Sequence, residues 1–189
     1  MNIRKFKDYI GYQEPMMCIQ GDILETELDD IVFAVNYPNL SGEYDNTGGF
    51  AGEICRRFWP ELKDIKFTEG EVISHYAQGK RFHAIAVHSN EPNGWKNAPA
   101  LIESCLNKIR VSSEEGLAIV LIGSGAAGKK WKASVDNIVG MSRSYKNVVL
   151  YIKNKDYYKA LIRAAMTYES IPLHLAPKTL KYRTRELAS

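Results

Sequence analysis

The sequence predicts an α/β domain with helices on both faces of a mixed, mostly parallel central sheet, a three-layer α/β/α arrangement. Three observations point there. Runs such as "DIVFAVNY" (30–37) and "LAIVLI" (117–122) are almost continuously apolar, as strands covered on both faces are. Segments with helically spaced apolar residues alternate with these runs. No internal repeat, low-complexity stretch or convincing linker divides the 189 residues, a length that suits one domain.

Taken in order, "MMCIQ" (16–20) reads as a strand and residues 30–37 as a second. "GGFAGEICRRFWPEL" (48–62) reads as a helix, because Ala51, Ile54, Cys55 and Phe58 recur at helical spacing and Pro60 ends it. "EVISHYA" (71–77) and "FHAIAVHS" (82–89) read as a hairpin joined by the turn "QGKR". Asn97 suits a helix N-cap, with Pro99 inside the first turn. Behind it Leu101, Cys105 and Ile109, flanked by Ile102 and Leu106, make one apolar face. Then come the strand 117–122, a helix from about 129 to 142, the strand "NVVLYI" (147–152), a helix over 156–169 and an extended tail.

The composition, 45% hydrophobic and 25% charged, is that of a soluble globular protein. No apolar run approaches the ~20 residues a spanning helix needs, and "MNIRKFKDYIGYQEP" has no apolar stretch of the secretory kind. Cys18, Cys55 and Cys105 are odd in number and form no C-x-x-C pair, so zinc is not expected and a reducing cytoplasm is. The net charge of +3 resides in the tail, where Lys178, Lys181, Arg183 and Arg185 face one acid, Glu186. A neutral body with a short basic tail does not suit a general nucleic-acid binder.

"GSGAAG" (123–128) follows a buried strand and precedes a helical segment, so Gly123, Gly125 and Gly128 spell a dinucleotide fingerprint. A dehydrogenase, however, places that loop in its first βα turn and an acid ~20 residues on. Here the next strand runs into Lys153, Asn154 and Lys155 before Asp156 arrives, and little sheet remains. The dehydrogenase reading fails, but the loop physics stands: backbone N–H groups at a helix start make a phosphate cradle. "AVNYPNLSGEYDNTGGFAGEI" (34–54) is a second loop of the same kind. It offers Asn36, Asn39, Asp45, Asn46 and Thr47 to hydroxyls, and Gly48-Gly49 open its helix. In "QGDI" (20–23), Asp22 stands just beyond a strand end, placed to accept from an amino-purine.

These segments resemble the macro domains, which bind ADP-ribose. "GDI" (21–23) is similar to the family's opening motif, "VNYPN" (35–39) to V-N-x-x-N, "GGFAGEI" (48–54) to G-G-[VI]-A-x-x-I, and "GSGAAG" to the loop that encloses the diphosphate. The likeness covers roughly 16–152 and implies an ADP-ribose-binding domain over 1–170 followed by a basic tail, 171–189. It implies ligand contacts from Asp22, Ile23, Asn36, Asn46, Thr47, Gly48, Gly49, Phe50, Gly123, Ser124, Gly125, Ala126, Ala127 and Gly128. Two departures stand out: "EYDNTGG" replaces a glycine run, and Ala127 replaces the aromatic usual in the second loop. The stretch from Gly70 to Ile109 looks most like the subgroup containing the terminal ADP-ribose glycohydrolases. That subgroup uses a lysine after the second hairpin strand and an aspartate in the second loop, where this chain has His88 or Ser89, and Ala127.

The first expectation is therefore hydrolysis of ADP-ribose 1″-phosphate without metal or cofactor. Asn39 would orient a hydroxyl or water and Asp45 would act as general base. The alternative is a non-catalytic reader or sink for ADP-ribose, free or attached to a macromolecule. Neither a membrane nor nucleic acid is expected as partner. For Asp45 a turn role is an equal expectation. His75 and His83 read as sheet residues, His174 as tail and His88 as a strand-end residue near the cleft. Trp131 reads as a core anchor and Lys129 as solvated.

Overall fold

The computed structural model describes residues 16–109, 116–122, 148–159 and 173–175. Within them one sheet is formed by β1 (Met16–Gln20), β2 (Asp30–Asn36), β3 (Val72–Ala77), β4 (Lys80–His88), β5 (Leu117–Val120), β6 (Val148–Ile152) and β7 (Leu173–Leu175). Their order across the sheet is β3-β4-β2-β5-β6-β1-β7. The β3–β4 hairpin is antiparallel and every other neighbouring pair is parallel. The mixed, mostly parallel sheet is the one the apolar runs imply.

Alternation along β2 sorts its side chains into two cores. Ile31, Phe33 and Val35 meet Ala51, Ile54 and Cys55 of α1 (Gly49–Arg57) on one face. Val32, on the other face, joins Ile102, Cys105 and Leu106 of α2 (Ala98–Lys108). Helices thus cover both faces, giving three layers. Phe33, Ile31, Ile54, Ile102 and Leu106 are fully buried, each worth ~1.5–3 kcal/mol relative to exposure. Their packing on both faces fixes where the strand ends stand. Burial also pushes the Cys18 thiol up to about 12 and that of Cys105 to about 11, so both act as small apolar side chains.

Several expected boundaries move for local reasons. In the segment 48–62 Pro60 does end the helix, as expected: α1 closes at Arg57 with Phe58 as its C-cap, and the last residues of the segment belong to a separate 3₁₀ turn, Pro60–Asp64. Proline lacks the N–H that would continue the first helix. The turn "QGKR" contracts to Gln78-Gly79, both with positive φ (50° and 77°), which suits a two-residue hairpin turn. Lys80 and Arg81 join β4, and the Lys80 Nζ donates to the carbonyls of Thr26 (2.8 Å) and Leu28 (2.7 Å). Asn97 precedes α2 as expected, but its side chain makes no capping hydrogen bond.

Beyond β6, Asn154 caps a helical turn over 155–159, its Oδ1 accepting from the N–H groups of Asp156 (2.9 Å) and Tyr157 (3.0 Å). Part of the expected tail, Leu173–Leu175, pairs in parallel with β1 as an outer strand. The loop 123–128, the expected helix 129–142 with Lys129 and Trp131, and the basic residues 178–186 lie outside the described residues.

Candidate functional site

Five neighbouring strands, β4, β2, β5, β6 and β1, run in the same direction, and a cleft of about 520 Å³ opens along their carboxyl ends. The chain leaves β2 toward β3 and β4 on one side and later returns to β5 on the other. Such a reversal leaves a crevice at the strand ends, where ligands of open α/β sheets sit. Four inter-strand steps of ~4.8 Å make the cleft ~19 Å long.

At the β1 end, Asp22 stands two residues past the strand's last residue, Gln20. Its Oδ1 accepts the N–H of Leu24 (3.0 Å), capping the 3₁₀ turn Ile23–Glu25, and its Oδ2 lies 3.2 Å from Lys153 Nζ. That hydrogen bond and the carboxylate's charge hold the Lys153 ammonium above the usual lysine range. Ile23 and Ile152 give this end apolar walls, and Tyr157 adds a half-buried ring.

Asn36 ends β2 where a register irregularity sets it opposite His88 rather than Val87. Bulges of this sort re-aim side chains beside sites. The Asn36 N–H donates to Asn46 Oδ1 (2.6 Å) and its carbonyl accepts from Asn46 Nδ2 (3.1 Å), so the buried Asn46 amide clasps the strand end like another strand. Asn36 Nδ2 donates to the Asp45 carbonyl (2.8 Å). Its Oδ1 is buried and has no hydrogen-bond partner among the described residues, an acceptor that suits a donor entering the cleft.

The loop then turns into α1. Among the described residues Gly48 caps it without any side-chain hydrogen bond, so the first-turn N–H groups are presented at the cleft wall. Gly49 holds φ +56°. Gly52 is required by close approach, since a Cβ there would stand 2.0 Å from the Thr47 carbonyl oxygen. Phe50 lines the cleft and meets Phe33 edge-to-face, ring centroids 5.8 Å apart.

The structure thus brings Asp22, Ile23, Asn36, Asp45, Asn46, Gly48 and Phe50 onto one cleft. Asn39, Thr47 and Gly49 are not among its lining residues, and residues 123–128 lie outside the described residues. The expected catalytic pair is not brought together. Asn39 folds onto its own loop: its Oδ1 accepts from the N–H groups of Ser41 (3.0 Å) and Glu43 (2.8 Å), while Glu91 holds the adjoining Leu40 N–H (2.7 Å). Asp45 Oδ1 accepts from the Thr47 hydroxyl (2.6 Å) and N–H (2.8 Å), and these bonds lower its pKa, weakening it as a base. The turn expectation for Asp45 is the one this geometry realises.

His88 lines the cleft at the β4 end, its ring stacked on Trp95 at 4.3 Å. Lys153, Asn90 and Tyr157 also line it, and motif reading missed them. The signal was available: residues immediately after each parallel strand belong at the crevice, and Lys153 directly follows β6.

No family model matches the sequence, and no curated protein does. Solved structures do match. A Trypanosoma brucei macrodomain in complex with ADP-ribose is 15% identical, with 82% of this chain and 72% of that one covered and a TM-score of 0.56. An Oceanobacillus iheyensis macrodomain variant is 17% identical, with 82% and 90% covered and a TM-score of 0.58. The chain has the macrodomain fold. An alphavirus P23pro-zbd structure is 19% identical with a TM-score of 0.57 over 88% of this chain, which spans only 26% of that longer one. Against the macrodomain pattern, the sequence signals at Asp22, Asn36 and Gly48 all fall on the cleft.

Proposed function

We propose that the cleft binds ADP-ribose or a close derivative, and that the chain acts as a reader or sink for that nucleotide. The observation that carries this reading is the buried Asn36 Oδ1, unpartnered among the described residues where β2 ends, with the Asp22 carboxylate just past β1, three strands away on the same cleft. A ribose hydroxyl would donate to the first and an adenine amino group to the second, while the open N–H groups at the start of α1 would face the diphosphate. Leaving a buried acceptor unpaired costs ~1–3 kcal/mol, which a ligand hydroxyl would recover. The neighbours crystallised with ADP-ribose support the same reading. Cytoplasmic residence is proposed with it, on the chemistry of three buried, unpaired cysteines.

Hydrolysis of ADP-ribose 1″-phosphate is the second reading, favoured by the position of Asp45 on the cleft wall. The hydrogen bonds that lower its basicity, and the engagement of Asn39 elsewhere, place it second. Calorimetric titration with ADP-ribose, run beside a phosphate-release assay on ADP-ribose 1″-phosphate, separates the two. Binding without release is expected. Release that disappears in Asn39→Ala/Asp45→Ala with affinity kept would establish the enzyme. No binding at all would sink both readings.

A further inference from the structure

A chain of three side chains crosses β3, β4 and β2 far from the cleft. Ser74 Oγ lies 2.6 Å from His83 Nδ1, and His83 Nε2 lies 2.7 Å from Asp30 Oδ1. Asp30 opens β2 and Asn36 closes it, so at ~3.3 Å per residue the cluster stands ~20 Å from the cleft end of that strand. Asp30 is fully buried and His83 nearly so, whereas Ser74 is exposed on β3, the outer strand of the hairpin side.

The hydrogen-bond sense follows from the partners. Asp30 is a carboxylate with the Arg81 guanidinium Nε 3.6 Å away, so it accepts. His83 Nε2 therefore carries the ring proton, and the Nδ1 lone pair is left to accept the Ser74 hydroxyl. Burial holds the His83 pKa below its ordinary value, against the opposing pull of Asp30, so the ring is neutral and its Nδ1 lone pair is free to take the Ser74 proton. Asp30, Arg81 and Ser74 are the polar groups that face it.

The backbone adds a further element. Glu71 and Ala86 are joined by a hydrogen bond, the Ala86 N–H donating to the Glu71 carbonyl at 3.0 Å. In the antiparallel ladder, pairs alternate between bonded and non-bonded, so Ser74↔His83 falls in a non-bonded position. In such a pair the side chains approach closely, and the Ser74 N–H points away from β4 toward the open edge. A group attached to Ser74 Oγ would find that N–H beside it. Tyr76, two residues along the same face and 70% exposed, offers an apolar surface next to the hydroxyl.

We propose that Ser74 is a nucleophile, activated by His83 and positioned through Asp30, that accepts the acyl group of small activated esters at this sheet edge. In the acylation step Ser74 Oγ bonds to the ester carbonyl carbon while its proton passes to His83 Nδ1. The carbon–alkoxide bond then breaks and the leaving alcohol takes that proton, so an ester and a serine become an acyl-serine and an alcohol.

The test uses diisopropyl fluorophosphate on the full chain. Attack by Ser74 Oγ forms an O–P bond and expels fluoride, and peptide mass spectrometry locates the adduct. Labelling at Ser74 is expected, absent in Ser74→Ala and slowed on the order of 100-fold in His83→Gln, with the wild-type rate rising with pH as His83 loses its proton. An unlabelled native Ser74, or equal rates in His83→Gln, would overturn the proposal. Should His83→Gln fail to fold, native and urea-unfolded wild type are compared. Label confined to the native form supports the site, and equal labelling of both forms refutes it.

Discussion

Replacing Asn46 by alanine tests the clasp that shapes the cleft. The substitution removes two hydrogen bonds, to the Asn36 N–H at 2.6 Å and the Asn36 carbonyl at 3.1 Å. Each is worth ~1 kcal/mol net, and stranding a backbone group without water adds ~1–3 kcal/mol. Asn36 is only half-buried, so water reaches part of the broken pair and a loss of ~2–3 kcal/mol is expected. With a urea m-value of ~2–3 kcal/mol per molar, the midpoint should fall by about 1 M. The companion Asn46→Asp keeps the acceptor but sets an anion against the Asn36 carbonyl, so it should be no less damaging. Affinity for ADP-ribose, titrated in the folded variant, should also drop, because the clasp fixes Asn36 beside its ligand. An unchanged midpoint with unchanged affinity would refute the reasoning and reduce the Asn36–Asn46 pair to a bystander.

Gly52→Ala should be destabilising by more than ~2 kcal/mol, because its Cβ would stand 2.0 Å from the Thr47 carbonyl oxygen; thermal melting checks this. His83 has a folded-state pKa below its ordinary 6.5. Its contribution is therefore complete above that pH and declines as pH falls through it, because the unfolded chain takes up the proton first. Urea midpoints measured from pH 7.5 to 5 should show that decline, and His83→Gln should flatten it. Phe50→Ala should weaken ADP-ribose binding by removing an aromatic wall of the cleft, with the loss read by calorimetry.

The sheet was legible because buried parallel strands write themselves as unbroken apolar runs: β2 and β6 lie within a residue of their expected bounds. Helix α1 was legible at its start, where glycines open it, and at its end, where the helical spacing stops at Phe58 and Pro60 closes it. At the cleft, residues at or just past strand ends, Asn36 and Asp22, stand where spacing puts them. Asn39, inside the loop, does not, because a ten-residue excursion from Asn36 to Asn46 has no period to fix it. Its conformation is set by side chains bonding to its own backbone, as Asn39 does with Ser41 and Glu43. Lys153 was overlooked for another reason: as one charge after a strand it forms no motif, and only the common direction of the strands brings it to Asp22.

The rigidity of the five-strand floor carries a consequence for selectivity. Its width is set by main-chain hydrogen bonding between neighbouring strands, so it does not contract around a shorter guest. The sheet works as a gauge. On the proposed reading, a nucleoside monophosphate would be held at the Asp22 end and would leave the Asn36 acceptor unanswered, whereas a ligand with a second sugar would reach both. Discrimination by length would then need no clash and no added residue, and rim side chains could be exchanged without resetting the measure.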